Sequence, residues 1–154
     1  MTFRLSGVDP APFAALHALS DAELAARGVE RVRVDETPGA PCRITLDDAE
    51  IGETVLLLSY AHQRAETPYK QQGPIFVRNA RERFDACGLM APALARRTLS
   101  LRGFNAAGAM IEADLCEGAH AAPLIERFFA NAAVAYIHAH YARRGCFAAL
   151  IERA

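Results

Sequence analysis

The spacing of apolar residues changes along this chain, and the changes divide it into elements. From His120 to Ala130, the positions Ala121, Leu124, Ile125, Phe128 and Phe129 recur at i, i+3, i+4, i+7 and i+8. That spacing is one face of an α-helix whose paired phenylalanines belong in a core. Asp21 to Arg27 reads as a shorter helix: Ser20 and Glu23 complete an S-x-x-E capping box, and Leu19 can staple onto Leu24. Gly28 then stands where a left-handed C-terminal residue is wanted. Val29, Val32 and Val34 suggest a short strand, ended by the turn segment Thr37-Pro38-Gly39-Ala40-Pro41. Thr54 to Ala61 carries Val55-Leu56-Leu57-Leu58, a continuous apolar run short for a helix and suited to a central strand covered on both faces.

A polar loop from His62 to Gly73 is expected next, about twice the usual connection length, and long loops in compact domains are enriched in function. Pro74 to Arg78 reads as a strand, and Asn79 to Arg97 as one or two short helices interrupted around Gly88 and Pro92. Thr98 to Phe104 and Met110 to Cys116 form a hairpin through Asn105-Ala106-Ala107-Gly108. Val134 to Tyr141 and Cys146 to Glu152 form another, turning at Arg143-Arg144-Gly145. Hairpins with helices between them, and no regular βαβ alternation, predict an α+β fold. Residues 1–154 are expected to make a single globular domain, with two or more helices packed on one mainly antiparallel sheet.

Composition narrows the function classes. A chain of 154 residues can bury a substantial core without disulfides or metals. A net charge of −1 argues against non-specific binding to nucleic acid or anionic lipid. No run approaches the ~20 apolar residues of a membrane span, and Met1 to Ser20 lacks the basic start and apolar block of a signal peptide. Cys42, Cys87, Cys116 and Cys146 are widely spaced without a C-x-x-C pair, which reads as four reduced thiols in a cytoplasmic protein. All the basic residues but Lys70 are arginine; beside so much alanine, this reads as biased genome composition rather than recognition chemistry.

The sequence has no phosphate loop, dinucleotide turn, nucleophile elbow or H-E-x-x-H helix. The most informative short feature is His138-Ala139-His140. Residues two apart on a strand share a face, so both imidazoles project together. They could ligate a divalent metal with His62 as third ligand and Cys42, Cys146 or Asp114 as fourth. The same histidines suit acid–base or hydrogen-bonding chemistry without a metal, and they equally read as residues on an exposed strand face. Tyr60 and Tyr69 could position a substrate or donate a proton, and Arg43 or Arg102 could clamp an anion. Their plainer readings are a half-buried strand residue for Tyr60 and surface charge for the arginines. Cys42 or Cys146 could pair with His62, His138 or His140 as a nucleophile. His17 and His120 read as surface or boundary residues.

Several segments in order, among them Pro38-Gly39-Ala40-Pro41-Cys42-Arg43, Tyr60-Ala61-His62-Gln63, Thr67-Pro68-Tyr69, Gly73-Pro74-Ile75-Phe76-Val77-Arg78, Tyr136-Ile137-His138-Ala139-His140 and Arg144-Gly145-Cys146, resemble the bacterial domain-of-unknown-function family 1203. The resemblance implies a small, free-standing bacterial protein and brings no substrate, cofactor or catalytic role. The residues themselves lead to two expectations of different class. One is a small-molecule enzyme or binding protein with a pocket of His62, His138, His140, Tyr60, Tyr69 and Arg43. The other is a non-catalytic domain that self-associates as a homo-oligomer or holds a protein partner.

Overall fold

The structure, a computed structural model, describes residues 2–154. In chain order its strands are β1 (Phe3–Ser6), β2 (Glu30–Arg33), β3 (Thr54–Gln63), β4 (Gln71–Val77), β5 (Asp85–Cys87), β6 (Thr98–Phe104), β7 (Met110–Glu117), β8 (Tyr136–Tyr141) and β9 (Phe147–Arg153). The helices are short: α1 (Asp21–Ala25), α2 (Pro92–Ala95) and α3 (Ala122–Ala130), with 3₁₀ segments at Ala11–Ala18 and Gly118–His120. One sheet has six strands in the order β5-β1-β9-β8-β6-β7, and the other has three in the order β2-β3-β4. Every ladder within them is antiparallel.

The fold is α+β and mostly sheet, but two sheets stand where one was expected. The reason lies in β3 and β8, whose apolar and buried residues need cover on both faces, which a single half-covered sheet cannot give. On one side of the six-stranded sheet, Leu99, Leu101, Ile137, Ala139 and Ile151 pack with Leu124, Ile125, Phe128 and Phe129 of α3. Gly103 brings strand and helix close, since a Cβ there would meet Phe128 at 3.2 Å. A second core joins Leu56, Leu58, Ile75 and Val77 of the small sheet to Phe13, Leu24 and Phe147. The two helices foreseen near Ser20 and Leu124 therefore pack on different sheets: α3 on the six-stranded one, and α1 within the core of the three-stranded one.

The cap of α1 forms as expected, with Ser20 Oγ accepting from the Glu23 amide at 3.2 Å and Gly28 at φ +70°. The loop after the central strand is shorter than expected. β3 continues through His62 to Gln63 and β4 begins at Gln71, with an irregularity between Tyr60 and Gln63. Main-chain hydrogen bonds carry this polar end of the hairpin, so hydropathy alone does not mark it. β1 and β5 also escape the pattern. β5 replaces part of the helical stretch expected over Asn79 to Arg97, because its three residues are recruited by pairing with β1.

Candidate functional site

The β6–β8 register places Arg102 opposite His138 and Ser100 opposite His140, which puts this face of the large sheet toward the small one. Both histidines are buried, at 5% and 1% exposure, so the exposed-face reading is wrong for them. His62 reaches them from β3. Its ring centroid is 6.0 Å from that of His138 and 5.0 Å from that of His140, and it stacks on Phe147 at 5.1 Å. Phe104 and Tyr136 close the other side of His138. The three sequence-selected histidines therefore converge across the two sheets.

Hydrogen bonds determine two of their tautomers. A carbonyl can only accept, so the 2.9 Å contact between His140 Nδ1 and the Gly145 oxygen puts the proton on Nδ1. Gln71 Oε1 accepts from Arg102 Nη1 at 3.4 Å and faces His62 Nε2 at 3.2 Å, so that nitrogen carries the proton of His62. His62 Nδ1, His138 Nδ1 and His140 Nε2 are buried without a hydrogen-bond partner among the described residues. The Tyr60 carbonyl lies close enough to favour protonated His62 slightly, yet makes no hydrogen bond to Nδ1. Burial is the main influence on all three rings. It lowers His62 and pushes His138 and His140 down to about 3. At neutral pH both inner rings are uncharged. Among the described residues, no group of three or more His, Cys, Asp or Glu side chains is placed to hold a metal ion.

Arg43 occupies the neighbouring wall. Its segment is tied to β4 by Arg43 N donating to the Phe76 carbonyl at 2.9 Å, and to the N-terminal segment by Val8 N donating to the Arg43 carbonyl at 2.8 Å. The side chain is only 2% exposed, which corrects the surface-charge reading. Nε donates to the Phe147 carbonyl at 2.7 Å, Nη1 to the Pro41 carbonyl at 2.6 Å and Nη2 to Cys146 Sγ at 3.0 Å. The guanidinium also lies over the Tyr141 ring at 4.8 Å.

Two cavities meet at this wall. The larger, about 450 Å³, includes Arg43, Arg96, Arg97, Tyr141, Arg144 and Cys146 in its lining. The smaller, about 350 Å³, includes His62, Gln71, Gly145 and Phe147. Both are bounded by Arg43, Phe76, Arg144 and Cys146, so they adjoin, and the pair forms a cleft region with walls from both sheets. Gly145, at φ +79°, allows the tight β8–β9 turn that brings Arg144 and Cys146 to the junction. Arg96 and Arg97 are aimed by buried Asp48, which accepts from Arg96 Nη1 at 2.8 Å and Arg97 Nη2 at 2.6 Å. Burial alone would raise the Asp48 carboxyl, but these two arginines hold it below its ordinary value.

Of the six candidates, Arg43 and His62 line the cleft, with His138 and His140 behind His62. Tyr60 packs between Phe13 and Phe147, while Tyr69 meets Phe104 edge-on and stays 42% exposed; neither is in the lining of the two cavities. Cys42 is turned away from the histidines and accepts from the Ile44 and Arg78 amides, whereas Cys146 shares the smaller cavity with His62. Asp114 is engaged by Arg127 on the edge strand. Sequence reasoning missed Arg96, Arg97, Tyr141 and Arg144. The available signal was the preponderance of arginine, together with the Arg143-Arg144-Gly145 turn three residues after the His-x-His pair.

These features define a small, mostly-sheet α+β protein with a recessed cleft between its sheets. Residues 39–153 match the family model described as "Protein of unknown function (DUF1203)", and the chain belongs to that family. No curated protein and no solved structure matches it. Among the described residues, no helix is long and apolar enough to cross a membrane.

Proposed function

We propose that this protein binds a small organic molecule in the cleft, with His62 and Arg43 in contact with it and His138 and His140 positioning His62. The observation that carries the reading is the shared wall of Arg43, Phe76, Arg144 and Cys146, which turns two modest cavities into one site. A ligand site of this kind is concave and combines apolar lining with a few convergent polar groups. Rings held near pKa 3 are poor proton acceptors at neutral pH, because an effective general base has a pKa near the working pH. The inner histidines therefore serve as neutral hydrogen-bonding and packing groups, and binding is favoured over acid–base catalysis by these two rings. The four free cysteines fit a reducing, cytoplasmic setting.

The test is a ligand-observed NMR screen of small polar fragments, mapped by backbone amide shifts. Hits should perturb Gly73, Arg144, Gly145 and Phe147 and weaken in His62→Ala. Hits confined to other surfaces would overturn the reading. One observation favours the interaction class instead: edge strand β7 exposes two large apolar side chains, Ile111 at 40% and Leu115 at 62%. Light scattering separates the two, since a dimer broken by Leu115→Glu would support self-association through β7.

A further inference from the structure

Arg43 carries a buried charge without a carboxylate partner among the described residues. Guanidinium stays protonated in proteins, so burial cannot neutralise it, and an unpaired buried charge is costly. Its three hydrogen bonds use three of its five N–H groups, all on neutral protein atoms or the Cys146 sulfur. Next to it, Tyr141 lines the same cavity, is 5% exposed, and has a buried hydroxyl without a partner among the described residues. Burial pushes that phenol up to about 12, so it remains an O–H donor. Arg97 covers the Tyr141 ring at 5.1 Å, and Arg143 and Arg144 line the cavity without forming ion pairs among the described residues. Glu36 and Glu117 in the wall and Asp48 beneath it leave the arginines in excess.

We propose that the arginine end of the cleft binds the oxyanion group of a small organic molecule, a phosphomonoester or carboxylate, through Arg43, Arg144 and the Tyr141 hydroxyl. This rests on the cleft reading above and names its ligand class. An oxyanion supplies what the protein lacks there: a countercharge for Arg43 and an acceptor for Tyr141. Charge-assisted hydrogen bonds of this kind are the stronger ones, and a guanidinium fork matches carboxylate and phosphate geometry. A cavity of about 450 Å³ exceeds a bare ion, so the anion is the head of a larger molecule whose body points along the cleft toward His62.

The probes are inorganic phosphate, glycerol phosphate, succinate and, as a neutral control, glycerol, each titrated calorimetrically into the full chain. At least one anionic organic probe should bind, and its affinity should fall about tenfold or more in Arg144→Gln. Tyr141→Phe should weaken binding while leaving the ligand-free protein as stable as before or more so, because it deletes a hydroxyl without a partner. Arg43 substitutions risk the fold, so Arg144→Gln and Tyr141→Phe are the deciding variants. Alkylation of half-buried Cys146 by iodoacetamide, mapped by peptide mass, should slow when the anion is bound, with exposed Cys87 unaffected. If neutral fragments occupy the cleft and none of the three anions binds, the oxyanion inference fails and the cleft reading stands. Anion binding unchanged in both variants also overturns the inference. Failure of every probe and fragment to perturb the cleft would overturn both.

Discussion

Nδ1 of His140 donates to the carbonyl of Gly145 at 2.9 Å, tying the inner histidine of β8 to the turn that delivers Arg144 and Cys146 to the cleft. The bond needs only the neutral ring, and burial keeps it neutral: His138 and His140 lie at about 3 against an ordinary 6.5.

Stability should therefore fall in mild acid. Between pH 3 and 6.5 the unfolded chain binds protons that the folded protein refuses, so stability rises with pH and is fully present above about pH 7. For the two rings together, the loss between pH 8 and pH 5 is about 4 kcal/mol, before the smaller contributions of His62 and His17, whose pKa values are also lowered. Asp48 and Glu53 are held below their ordinary values and lose their contribution mainly below pH 5, beneath the pH 8 to pH 5 comparison. Urea unfolding at pH 8 and pH 5 measures the effect, and His138→Gln or His140→Gln should each remove about half. Stability that stays flat across that range would show the rings to be accessible or charged.

Arg43→Lys should destabilise the protein by about 1–3 kcal/mol, although charge is retained. A lysine ammonium is one point, whereas Arg43 spreads its donors over the Phe147 carbonyl, the Pro41 carbonyl and Cys146 Sγ. At least one buried acceptor loses its partner. An unchanged urea midpoint would show that the fork is not used.

Much of this architecture was visible in the chain, and the gaps have physical causes. Ser20, Leu24 and Gly28 specify α1 locally, and the face from Leu124 to Phe129 specifies α3, because capping and amphipathic spacing are short-range. His138 and His140 share a face by strand periodicity, but their burial depends on β3, which contributes His62 from 76 residues away. Non-local pairing also defines β1 and β5, whose few residues have no distinctive pattern. The arginine cavity was missed for a different reason. Arg97, Arg144 and Arg43 lie far apart in sequence, and their abundance looked compositional until folding gathered them around Tyr141.

The two cores should unfold together. Phe147 belongs to the core of the small sheet, yet its neighbours Ala148, Ala149 and Ile151 belong to that of the large one. A strand shared in this way couples them, so denaturation should show one transition by circular dichroism and by tyrosine fluorescence. Phe128→Ala, at a fully buried position, should cost on the order of 3–5 kcal/mol and lower that single midpoint. Two separated transitions, with only one moved by Phe128→Ala, would divide residues 1–154 into independent units.

Metal analysis provides the decisive check on the histidine trio. The rings converge at 5.0–6.4 Å between centroids, yet the three side chains are not placed as a ligand set. His62 Nε2 is engaged by Gln71 and His140 Nδ1 by Gly145, while the opposite nitrogens have no hydrogen-bond partner. One nitrogen of each of these two rings is thereby engaged and the opposite one is left as an unprotonated acceptor, whereas a catalytic zinc centre needs about three such nitrogens gathered around one point at roughly 2.0–2.1 Å each. Protein purified without chelator or histidine tag should contain metal well below one equivalent. Added zinc, iron or manganese should leave both metal content and melting temperature unchanged. His138→Ala and His140→Ala should alter stability without altering metal content. One equivalent of metal, lost in either variant and also in His62→Ala, would replace the neutral cluster with a three-histidine metal centre. The role of His62 in the cleft would then be that of a metal ligand.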